Sequence, residues 1–220
     1  MTWRIPVAGD EVTAEHDSAG SPSVFVCAHG AGGNMNDRGM ISVSHAMRAS
    51  GMDVVRFNFL YKEKRSGRPD SMPLLKTTFE AVVARVREEL RPDVTIIGGR
   101  SMGGRAASML AADGFACDGL LLLAYPLHPA GKPEQLRDAH LPTIEIPVLC
   151  VNGTRDALCR RDLMDAVLGR VGANWTMHWL EGADHSFHVL KSSGRTDADV
   201  MAEVREASRV WVERLSGVAR

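Results

Sequence analysis

Apolar positions along the chain fall into two kinds of pattern. Residues 23–28, 53–58, 94–97, 119–124 and 147–152 are short, largely apolar runs with little alternation, as expected of parallel strands covered on both faces. Between them lie stretches with helical spacing. Leu75, Phe79, Val82, Val83, Val86 and Leu90 mark one helix, which Pro92 ends. Residues 38–50 predict another with Gly51 as C-cap, and residues 105–112 and 161–171 two more. Val200, Met201, Val204, Trp211, Val212 and Leu215 predict a closing amphipathic helix. Residues 3–7 read as an edge strand and 175–180 as a last strand. Residues 11–21 read as turn or loop, 60–73 as a polar, basic loop, and 125–146 as a proline-punctuated connection. Strands alternating with helices predict an α/β fold, a mostly parallel sheet with helices on both faces, as one domain over residues 1–220. Ligands bind such sheets beyond the carboxyl ends of the strands.

One strand end carries Gly98-Gly99-Arg100-Ser101-Met102-Gly103-Gly104. A strand, a glycine-flanked serine and then a helix form the context of a G-x-S-x-G nucleophile elbow. Glycines at 99 and 103 avoid a collision across so sharp a turn. The pentapeptide alone fits a plain βα turn equally well, so the other strand ends have to decide.

Ser101 needs a base, because a hydroxyl at its free pKa is a poor nucleophile. Of eight histidines, His185 in Gly182-Ala183-Asp184-His185-Ser186-Phe187 follows the last strand and can reach the elbow. His188 is the near alternative, whereas 16, 45, 128, 140 and 178 have no comparable placement. The imidazole in turn needs an acid to hold its tautomer. Asp156 ends a strand-end run, Val151-Asn152-Gly153-Thr154-Arg155-Asp156, although an aspartate there also suits a helix cap. Asp162 and Asp165 fall within the next helix, and Asp184 is too close in sequence to His185. The order Ser101, Asp156, His185 is that of the α/β-hydrolase triad. His29-Gly30-Ala31-Gly32-Gly33 follows the first buried run, where an oxyanion hole takes an amide, and Met102 offers a second. That glycine loop lacks both phosphate-cradle spacings, G-x-x-x-x-G-K-[ST] and G-x-G-x-x-G.

Composition narrows the picture further. The 220 residues are 45% hydrophobic and 24% charged, which suits an ordinary soluble domain. Lys+Arg 26 against Asp+Glu 27 gives no reason to expect a nucleic-acid or membrane-surface partner. Four cysteines without CxxC spacing imply neither a metal site nor a disulfide framework. The first residues lack the apolar core of a signal peptide, and a cytoplasmic location is expected. Leu60-Tyr61-Lys62-Glu63-Lys64-Arg65-Ser66-Gly67-Arg68 is locally basic. A solvated loop explains it, as does pairing of an arginine with Asp70. The sharper expectation is that Arg65 or Arg68 binds an anionic group on the substrate.

These residues together resemble the α/β-hydrolase superfamily over nearly the whole chain. Within it the chain looks like the small lidless, dienelactone-hydrolase-like group. That group includes the hydrolase-like domain shared by a testis-expressed eukaryotic protein and a histone acetyltransferase complex subunit. The match is carried by His29-Gly30-Ala31-Gly32-Gly33, Arg56-Phe57-Asn58-Phe59, Gly99 to Arg105 and Gly182 to Phe187. It departs at Leu60, where the group's pattern has proline. The resemblance implies Ser101 as nucleophile, His185 as base, Asp156 as acid, and Ala31 and Met102 as oxyanion amides. No cofactor or metal is implied. The expected activity is hydrolysis of a small soluble ester or thioester. Acyl transfer by the same residues and a non-catalytic interaction module are the alternatives.

Overall fold

The apolar runs lie side by side in one sheet. The computed structural model describes residues 1–218. Its strands are β1 (Thr2–Val7), β2 (Asp10–Asp17), β3 (Ser23–Ala28), β4 (Asp53–Phe57), β5 (Val94–Arg100), β6 (Gly119–Leu123), β7 (Val148–Gly153) and β8 (Trp175–Leu180). The sheet order is β1-β2-β4-β3-β5-β6-β7-β8. All pairings from β4 to β8 are parallel, while β1 and β2 join antiparallel at one edge. From β3 the chain passes first to β4 on one side and later to β5 on the other. This is the topological switch at which open α/β sheets form their binding crevice. Because Ala28 is in register with Gly99, the loops after β3 and β5 emerge next to each other.

The helices are α1 (Arg38–Ala49), α2 (Leu60–Glu63), α3 (Met72–Leu90), α4 (Met102–Ala112), α5 (Arg161–Leu168) and α6 (Asp197–Val218). Phe79 and Val83 of α3, Leu110 of α4 and Met164 of α5 fill one core layer. Met40 and Met47 of α1 meet Val204 and Trp211 of α6 in the other. The helices therefore cover both faces, as two-sided burial of β3, β4 and β6 requires. All four cysteines are free thiols, and burial raises the pKa of Cys27, Cys150 and Cys159 above the ordinary range. Among the described residues, no helix is long and apolar enough to cross a membrane.

The structure corrects three expectations. Residues 11–21 are not a loop, because Asp10–Asp17 is strand β2. Only Val12 and Ala14 of that strand are buried, and polar partners on β4 hold the rest. Arg56 bonds Asp17 at 2.7 Å and Glu15 at 2.9 Å, and His16 meets Asp53 at 2.7 Å. Residues 60–73 do not form one polar loop either. Leu60 and Tyr61 are buried in the single turn of α2, which Glu63 ties to the backbone of Thr13 at 2.9 Å. Gly51 is not the C-cap of α1. Ser50 caps it, and Gly51 follows at φ +89°, the left-handed position where glycine relieves strain.

Candidate active site

β5 ends at Arg100 and α4 begins at Met102, so Ser101 alone makes the turn. Its φ of 49° and ψ of −114° lie where a non-glycine residue costs about 1–3 kcal/mol. The turn is pinned by Ser101 N–H to Leu123 O and by Arg105 N–H to Ser101 O, each 2.9 Å. The glycines serve packing against β3 rather than clearance across the turn. A Cβ on Gly99 would stand 2.1 Å from Ala28 O, and one on Gly103 would stand 2.6 Å from it.

His185 follows β8 in a turn that Asp184 builds. The Oδ1 of Asp184 accepts from the amides of Ser186 at 2.7 Å and His188 at 3.1 Å. Nε2 of His185 lies 2.9 Å from Ser101 Oγ, and Nδ1 lies 2.8 Å from Asp156 Oδ2. An ionised carboxylate can only accept, so Nδ1 carries the proton and Nε2 presents its lone pair to the serine.

Asp156 follows β7 with its side chain wholly buried. Its Oδ2 accepts from Asn152 Nδ2 at 3.2 Å as well, and Oδ1 from Leu158 N–H at 2.8 Å. It does not cap α5, whose N-cap is Arg160. Asp162 and Asp165 pair with Arg160 and Arg161 on the surface. Three other histidines are engaged away from Ser101. His188 pairs with Asp197 at 3.0 Å, which raises its pKa, and His178 pairs with Glu203 at 2.9 Å. His140 bonds Ser108 at 2.8 Å, and burial pushes its pKa down to about 4.

The loop after β3 stands beside the serine, where a Cβ on Gly30 would lie 3.5 Å from Ser101 Cβ. Met102 is the first residue of α4, so its N–H has no helical acceptor. Ala31 is exposed, and its carbonyl accepts from the Tyr61 hydroxyl at 2.8 Å. Burial pushes the Tyr61 pKa up to about 12 and keeps it a donor. His29 Nδ1 donates to Gly30 O at 2.8 Å, while its Nε2 accepts from Phe59 N–H at 3.3 Å. Burial lowers the pKa of His29, in keeping with this neutral role. Asn58 Oδ1 accepts from Met35 N–H at 2.9 Å, and Arg56 reaches Met35 O and, at 2.7 Å, Asn36 Oδ1. The Arg56 to Phe59 segment thus holds the glycine loop in place.

Arg65 and Arg68 are exposed and form no ion pair among the described residues. Asp70 is occupied by Tyr61 N–H at 3.0 Å, and neither arginine pairs with it. Sequence reasoning missed Asn152 and Arg100. Arg100 Nη2 donates to His185 O at 3.1 Å, tying the elbow to the histidine loop. A charged residue inside the elbow heptapeptide and an asparagine ending an apolar strand were the available signals. Among the described residues, no group of three or more His, Cys, Asp or Glu side chains could hold a metal ion.

A parallel sheet with an antiparallel edge, a strained serine elbow and a histidine loop beyond the last strand define an α/β-hydrolase fold without a lid. A family model described as an alpha/beta hydrolase domain matches residues 21–213, and the chain belongs to that family. It is similar to a lidless α/β serine hydrolase from Xanthomonas campestris, with TM-score 0.76, 21% identity, and 96% of this chain and 94% of that one covered. It is also similar to an α/β serine hydrolase homologue from Coxiella burnetii (TM-score 0.75, 20% identity, 95% of each chain covered). A dienelactone hydrolase from Anabaena variabilis aligns over 97% of this chain and 96% of its own, with TM-score 0.73 and 16% identity. At such identities the likeness is one of fold.

Proposed function

We propose that the protein is a serine hydrolase acting on small carboxylic esters or thioesters through an acyl-enzyme. The observation that carries this reading is the unbroken chain from Ser101 Oγ through His185 to the buried Asp156. His185 Nε2 takes the hydroxyl proton as Ser101 Oγ attacks the acyl carbon. Asp156 stabilises the imidazolium through Nδ1–H. The tetrahedral oxyanion is received by the amides of Met102 and Ala31, with the start of α4 adding its positive dipole end. Collapse expels the alcohol or thiol, which takes the proton from Nε2. Water, deprotonated by the same nitrogen, then attacks the ester on Ser101, and the acid leaves with Ser101 reprotonated.

The connection between β6 and β7 supports short substrates, since its one regular element is the 3-10 turn Leu141–Thr143. Arg65 and Arg68, exposed and without acidic partners among the described residues, are the proposed contacts for an anionic substituent. Replacing both with alanine should raise KM for anionic esters and spare neutral ones, an effect that shrinks with salt. Equal losses for both substrate types would remove them from the site.

Hydrolysis of p-nitrophenyl acetate by the purified chain, compared with the palmitate ester, tests the main reading. Saturable turnover that favours acetate supports it. No turnover of any ester or thioester, with the chain folded, would contradict it.

A further inference from the structure

A groove of about 780 Å³ lies between α1 and α6, behind the loop that carries His185. Its walls include Val43 and Ala46 of α1, Met201 of α6 and Phe187. Arg100 reaches it from the elbow. One face of the guanidinium lies over the Phe187 ring, 5.5 Å from its centroid. Nη2 is spent on His185 O, and Nη1 fits against α1, where a Cβ on Gly39 would stand 2.2 Å from it. Nε is buried and has no hydrogen-bond partner.

No carboxylate forms an ion pair with this guanidinium among the described residues. Asp37 is near, but its oxygens accept from the amides of Asn34 and Met40 as the cap of α1. Asp184 is engaged with Ser186 and His188, and Asp197, the acid lining the groove, with His188. Arg38 and Arg205 line the same groove, exposed and without ion pairs among the described residues. A partly buried guanidinium with an unpaired Nε, in a groove that two more guanidiniums line, is costly unless something anionic meets it.

We propose that this groove binds a phosphate-bearing small molecule, its phosphate on Arg100, Arg38 and Arg205 and its organic part along Val43, Ala46 and Met201. The exposed guanidiniums of Arg38 and Arg205 suit phosphate oxygens, because each planar fork can donate two parallel bonds, while Arg100, with Nη2 given to His185 O, adds positive charge at the groove wall. The volume is that of a small-molecule site and far exceeds the need of a bare ion. The site is separate from Ser101, and its occupancy does not depend on the hydrolytic reading.

Titration calorimetry with phenyl phosphate and with inorganic phosphate, at low salt, reads the binding directly. One saturable site is expected, tighter for phenyl phosphate and weakened by added salt. Arg38→Ala and Arg205→Ala should each weaken it about threefold to tenfold, a single charged contact apiece. Both lie on exposed helical positions, and melting curves report whether each variant is folded. Ser101→Ala should bind as the unaltered chain does. The Arg100 Nε–H resonance, assigned by its absence in Arg100→Lys, should shift along the same saturation curve. Absence of saturable binding, binding indifferent to both arginine substitutions, loss of binding in Ser101→Ala, or an unmoved Arg100 resonance would each overturn the proposal.

Discussion

Asn152 and His185 converge on one oxygen of Asp156, the amide from 3.2 Å and the imidazole from 2.8 Å. Asn152 is fully buried, and it also brackets Tyr125, accepting from its N–H at 3.0 Å and donating to its carbonyl at 3.1 Å. One side chain thus joins the ends of β6 and β7 and fixes the rotamer of the acid. Asn152→Ala leaves the Tyr125 backbone groups unpaired, at a cost of about 1–3 kcal/mol in unfolding free energy. It should also lower kcat at least about tenfold through misplacement of the acid, with KM little changed. Denaturant melts and steady-state kinetics on one preparation check both. A stability loss with kcat intact would confine Asn152 to a structural role.

Gly103 offers a test of how tightly the elbow is packed. An added Cβ meets the Ala28 carbonyl oxygen at 2.6 Å, and backbone cannot yield as a flexible side chain does. Gly103→Ala should destabilise the chain by about 1–3 kcal/mol. Gly67, with nothing within 4 Å of its Cβ position, should tolerate alanine to within about 0.5 kcal/mol. Urea midpoints of the two variants give the comparison.

His140 predicts an acid-side loss of stability. Burial, reinforced by the Arg105 charge, lowers its folded pKa to about 4 from the ordinary 6.5. The unfolded chain therefore takes up a proton below about pH 6.5, which the folded chain refuses until about pH 4. Stability contributed above pH 6.5 is lost as the pH falls through that window. His140→Gln should flatten the fall in urea midpoint between pH 7 and pH 5. An unchanged slope would show that His140 does not set it.

Much of this organisation is legible in the sequence, for identifiable physical reasons. Strands buried on both faces, such as Ser23–Ala28 and Gly119–Leu123, announce themselves as unbroken apolar runs. The elbow is legible because glycine is needed wherever a Cβ would meet the backbone of β3. Strand β2 was hidden because it buries only two small apolar residues and is held by ion pairs to Arg56 and Asp53. Tyr61 was masked by the lysines and arginines around it, although its hydroxyl reaches the Ala31 carbonyl. Asn152 and Arg100 act through groups distant in sequence, Tyr125 and Asp156 for one and His185 for the other. Local pattern carries no signal of such pairings.

Covalent labelling of Ser101 bears most directly on the central claim. A fluorophosphonate probe reacts with a serine only where a neighbouring base has activated it. The unaltered chain should take up one equivalent on the peptide containing Ser101, and ester hydrolysis should stop in proportion. Ser101→Ala relieves no packing and opens no core cavity, so it should melt as the unaltered chain does and take up no label. Label on another residue, or ester turnover by Ser101→Ala at the unaltered rate, would contradict the account.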